Sequence, residues 1–185
     1  MLSFDYALSK EDYCNYFIFV TWEAPGKQKK RTRYFLRQLF SILIFTLLFY
    51  YTGLFTRDKI FSIVAVVVIL FTSVLSLTGI RSSLNKQAQK IADNALNSAL
   101  FTPTHFSASE AGILLKDEFT ESKYMWKAFV KKQENADYYF LFYSSLEAII
   151  IPKRIFKPFE EALFAELLVR YLSFDAEIGH LIKNI

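Results

Sequence analysis

The sequence predicts an α+β membrane protein: a two-helix transmembrane hairpin joined to a small strand-rich domain, a meander or partly open barrel, that a C-terminal helix caps. Three observations carry this expectation. Residues 38–56 and 60–80 are two uncharged, nearly unbroken apolar stretches, alternation of period two dominates residues 104–151, and an apolar stripe of helical spacing follows Pro158.

The 185-residue chain has room for one ordinary domain plus an appendage. Its residues are 53% hydrophobic and 22% charged, with a mean hydropathy of +0.22, which excludes a disordered polyelectrolyte. Cys14 is the single cysteine, so a disulfide framework is excluded.

At about 1.5 Å per residue, each apolar stretch is as long as a hydrocarbon core is thick. The connector Arg57-Asp58-Lys59 allows only an antiparallel hairpin, leaving both termini on one side. Lys27, Lys29, Lys30, Arg31, Arg33 and Arg37 precede the first stretch, and Arg81, Lys86 and Lys90 follow the second. Basic residues favour the cytoplasmic face, so both termini are expected there, with the first group at the membrane interface and the lipid bilayer as a partner. Placed next to lipid, these charges explain the net charge of +4 without nucleic acid, which is not expected as a partner. Neither stretch contains Asp, Glu, Lys, Arg or His, which argues against a transporter.

Organisation along the chain follows from composition. Residues 1–26 read as a strand and an amphipathic helix. Leu2 to Leu8 alternates, Ser9 stands three residues before Asp12 in the capping-box pattern, and Tyr13, Tyr16, Phe17 and Val20 share a helical face. Residues 27–37 are the basic segment and 38–80 the hairpin. Residues 81–103 read as a helix, because Ala88, Ile91, Ala92, Ala95, Leu96, Ala99 and Leu100 line one face. Residues 104–173 form the strand domain, and 174–185 a tail. Strands are expected at 105–109, 113–116, 119–126, 138–144 and 147–151, while 127–134 is open between strand and helix. Pro158 suits the first turn of the closing helix, with Glu160 and Glu161 behind it and Phe159, Leu163, Leu167, Leu168, Tyr171 and Leu172 as its stripe. A domain this small is short of core, so the N-terminal strand is expected to rejoin its sheet.

The ALSKEDY segment, the basic run, Tyr124-Met125-Trp126, the aromatic strand 138–143 and Ile149 to Phe156 together resemble YcxB-like membrane proteins. That resemblance implies a cytoplasmic domain like bacterial pleckstrin-homology barrels in a bacterial inner membrane. It implies no activity. Lys157 stands where a Ser or Thr helix cap is usual.

Catalytic and metal patterns are sparse. His105, His180 and Cys14 have no metal-ligand spacing, and phosphate-loop and nucleophile-elbow patterns are missing. No enzyme, no metal and no cofactor are therefore expected. One exposed constellation is a candidate: Lys153, Arg154 and Lys157, fixed behind Pro152 with Lys131 and Lys132 nearby, form a rim suited to a headgroup phosphate or an acidic partner peptide. The competing reading has these cations solvate a turn and pair with Glu160 or Glu161. Trp126 is a core residue first and an interaction aromatic second. The expected function is a non-enzymatic, membrane-anchored binding or scaffold module for a protein partner or anionic lipid. The alternative is a structural or regulatory subunit recognised through its hairpin.

Overall fold

The computed structural model describes residues 2–51 and 59–172. The expected tail, 174–185, lies outside them, as do parts of the expected hairpin and its connector. The chain divides into two units, 1–16 with 91–185 and 17–90.

The first unit contains the strands β1 (Leu2–Tyr6), β2 (Thr104–Ser109), β3 (Gly112–Lys116), β4 (Glu121–Tyr124), β5 (Lys131–Glu134), β6 (Tyr138–Phe142) and β7 (Ala148–Pro152). They form two antiparallel sheets, β1-β2-β3-β4 and β5-β6-β7, and not a single barrel or meander. The break falls between β4 and β5, where a 3-10 turn at Trp126–Ala128 redirects the chain. The expected return of the N-terminal strand is seen: β1 pairs with β2, with Phe4 opposite Phe106.

Side-chain oxygens set the turns. The Asp117 carboxylate accepts the backbone N–H groups of Phe119 and Thr120 at 2.7 and 2.6 Å, and Asn135 Oδ1 accepts that of Tyr138 at 2.8 Å. In the β2–β3 turn Gly112 has φ 137°, and a Cβ there would lie 2.1 Å from the Tyr124 carbonyl oxygen. Only glycine fits.

The core lies where both sheets meet α4 (Pro158–Tyr171). Phe106 from the first sheet, Tyr139 from the second and Phe164 from α4 meet edge to face, with ring centroids 5.8 and 5.5 Å from Phe164. β6 is buried along its whole length. Tyr139 and Leu141 enter the core, and Phe140, on the other face, packs against Tyr16 of α1 (Lys10–Ile18), at 5.6 Å. That explains why β6 reads as a continuous apolar run. Pro158 opens α4, and the Glu160 carboxylate accepts the Lys157 backbone N–H at 2.9 Å, which offsets the missing Ser or Thr cap.

The expected helix over 81–103 stops early. It ends at Ala92, Asn94 takes an extended conformation and accepts the Leu96 N–H, and 95–101 continues as 3-10 helix. Leu96, placed on the apolar face by its spacing, is 89% exposed.

The second unit holds α2 (Gln28–Tyr51) and most of α3 (Lys59–Ala92). Here the membrane reading is corrected. Among the described residues, no helix is long and apolar enough to cross a membrane. α2 begins with Lys29, Lys30, Arg31, Arg33 and Arg37, and its described apolar residues follow from Leu39 to Tyr51. α3 is longer than the expected span and runs on through Arg81, Lys86 and Lys90. The transmembrane hairpin is overturned, and with it the multi-pass inner-membrane location deduced from it. Two of the basic residues make local contacts: Lys30 Nζ donates to the Thr21 carbonyl at 3.3 Å, and Arg37 lies 5.5 Å from the Tyr34 ring. Apolar side chains of α2, Leu39, Phe40, Leu43 and Leu47 among them, are exposed.

Candidate functional site

The cationic rim is not free. Arg154 sits on a 3-10 turn, Lys153–Ile155, directly after β7, and its guanidinium donates to both oxygens of Asp12, at 2.6 and 2.5 Å. Asp12 is 1% exposed. It also accepts the Tyr138 hydroxyl at 2.8 Å and the Ser9 backbone N–H at 2.7 Å, while Ser9 Oγ accepts the Asp12 N–H in return. The predicted capping box exists, and its carboxylate doubles as the anchor for an arginine 142 positions away. Asn15 Nδ2 completes the network by donating to the Tyr138 hydroxyl at 3.1 Å.

Burial pushes the Asp12 carboxyl up, but hydrogen bonds from Arg154, Ser9 and Tyr138 outweigh it and hold the group at about 2, below its ordinary 3.8. Arg154 is pushed up, chiefly by its hydrogen bonds to Asp12. A depressed carboxylate stabilises the fold above its unfolded value and loses that contribution as pH falls through the folded one. For Asp12 this amounts to about 2 kcal/mol, fully present above pH ~4 and vanishing towards pH 2. Urea unfolding of the native chain and Asp12→Asn at pH 6, 4 and 2.5 is expected to show the gap between them closing with acid. A gap independent of pH would reject this assignment.

The other sequence candidates divide. Lys153 Nζ lies over the Tyr139 ring, 4.5 Å from its centroid, and 4.0 Å from Glu134. Lys157 is exposed at the start of α4. Lys131 and Lys132 lie on β5. Arg154 pairs with neither Glu160 nor Glu161, the partners considered from sequence. Trp126 is buried, stacks on Tyr171 at 5.4 Å, and donates its indole N–H to the Ser109 carbonyl at 2.9 Å, which makes it a core residue. Cys14 is buried, and burial pushes its thiol up, against a role as nucleophile. Among the described residues, no group of three potential ligands gathers for a metal.

Two surface features escaped the sequence reading. A groove of about 260 Å³ on the first sheet is lined by residues including Ser107, Ser109, Gly112, Glu121 and Lys123. Beside it, Ser3, Asp5 and His105 are hydrogen-bonded in a row. The signal available for the row was Ser3 and Asp5 two apart on an alternating strand, but the partner strand of β1 begins about a hundred residues later.

The first unit is thus a small α+β domain of two antiparallel sheets closed by a C-terminal helix, with an N-terminal strand and helix returned to it. Residues 108–168, from Ala108 of β2 to Leu168 of α4, match the family described as YcxB-like protein, and this part of the chain is YcxB-like. Tyr124-Met125-Trp126, strand β6 and Ile149 to Phe156 lie inside the match, and ALSKEDY lies outside it. No curated protein and no solved structure matches the chain.

Proposed function

We propose that the domain is a binding module that receives an extended segment of a partner protein along β4. The observation that carries this reading is the state of that strand. β4 ends the first sheet, pairing with β3 alone among the described strands. Phe119 and Met125, just before and after it, are 70% and 65% exposed. An edge strand offers unpaired backbone groups to an incoming strand, and exposed apolar residues at its ends supply anchors. Glu121 already pairs with Lys116 across the ladder at 3.6 Å, while Lys123 adds a positive charge on the same face of the strand, favouring a segment that carries an acidic residue there.

The test is photo-crosslinking in cells from residue 118, with the captured segment mapped by mass spectrometry. Phe119→Asp combined with Met125→Asp is expected to reduce the captured partner about tenfold, in line with loss of two interface anchors. Lys153→Glu is expected to leave capture unchanged. Capture that survives the double change, or that depends on Lys153, would overturn the reading.

A further inference from the structure

Ser3 and Asp5 lie two residues apart on β1 and so share one face of the sheet. His105 of β2 is the register partner of Asp5, and Ser107 is that of Ser3. The imidazole lies between the two β1 side chains, with Nδ1 2.6 Å from Asp5 Oδ1 and Nε2 2.9 Å from Ser3 Oγ. An ionised carboxylate only accepts, so a neutral ring carries its proton on Nδ1 and donates it to Asp5. Nε2 is then an acceptor, and the Ser3 hydroxyl donates to it. This is the order of contacts that activates a serine: nucleophile to base, base to orienting carboxylate.

Cross-strand pairing alone accounts for the contact between Asp5 and His105. It does not require the second ring nitrogen to meet a hydroxyl. The three side chains are open to solvent, and Ser107, which faces Ser3 across the ladder, lines the groove of the first sheet. A reactive group at Ser3 therefore has an adjoining cleft for the rest of a bound molecule.

We propose that Ser3 is a nucleophile towards activated carboxylic esters, with His105 as its general base and Asp5 as the residue that positions the ring. Ser3 Oγ attacks the ester carbonyl carbon and its proton passes to Nε2. As the carbonyl re-forms, the carbon–oxygen bond to the alcohol breaks, and the leaving oxygen takes the proton from Nε2. Water, deprotonated by the same nitrogen, then attacks acyl-Ser3, releasing the carboxylic acid and restoring the hydroxyl. This inference is independent of partner binding along β4.

The experiment treats the full chain with p-nitrophenyl acetate and, separately, a fluorophosphonate probe, in which Ser3 displaces fluoride. Release of p-nitrophenol is followed, and modified residues are mapped by peptide mass spectrometry. The expected result is an adduct on Ser3, none on Ser107 or Ser109, and a labelling rate that falls about a hundredfold in His105→Gln, the scale of a lost general base. Asp5→Asn is expected to slow labelling while leaving the thermal midpoint within a degree or two. No adduct at Ser3, or one that forms equally fast in His105→Gln, would overturn the proposal.

Discussion

Arg154→Ala is expected to lower stability by about 3–5 kcal/mol, the cost of leaving a buried charge without its partner. The arginine itself is half exposed, and by position alone its loss would be mild. The penalty arises at the other end, because Asp12 is almost wholly buried and takes two of its hydrogen bonds from this guanidinium. Removing the charge from both partners relieves it. Asp12→Asn combined with Arg154→Ala is therefore expected to be more stable at pH 7 than Arg154→Ala alone, since the asparagine oxygen can still accept the Ser9 N–H and no unpaired carboxylate remains. Denaturant unfolding of the four proteins in this cycle gives the coupling directly. If the double variant loses the sum of the two single losses, the pair does not hold α1 to the second sheet.

Phe164→Ala is expected to cost a comparable 3–5 kcal/mol, the range for deleting a fully buried phenylalanine. Phe164 is 0% exposed, and besides Phe106 and Tyr139 it stacks on Phe156 at 5.2 Å. Three elements lose a shared neighbour at once, so the cavity cannot close by moving one of them. Phe164→Leu keeps most of the volume and is expected to lose under about 2 kcal/mol. An alanine variant within 1 kcal/mol of the native chain in denaturant unfolding would mean that α4 is not the lid of this core.

Local pattern made much of the strand domain legible. Alternation located β2, β3 and β7, and Pro158 with Glu160 located α4, because a strand face and a helix start depend on residues close in sequence. The segment 127–134 resisted because it splits into the end of a 3-10 turn, a link and a four-residue strand, each too short to show a period. The stripe from Ala88 to Leu100 misled because spacing records which residues would share a face, not whether Asn94 interrupts the helix between them. Uncharged length misled at 38–80 as well: among the described residues no helix is long and apolar enough to cross a membrane. The arginine network was out of reach for another reason. Nothing near Asp12 marks it for Arg154, which meets it only after β7 is laid beside β6.

The pairing of β1 with β2 also sets a timetable for biosynthesis. Ser3 and His105 are 102 positions apart, so the first strand leaves the ribosome long before its partner exists. At about 5–20 residues per second, that interval is several seconds. During it Leu2, Phe4 and Tyr6 have no sheet to join, and α1 has no Arg154 to meet. Until β2 follows, β1 can pair only with another chain, so the delay leaves one strand of the domain open to intermolecular pairing.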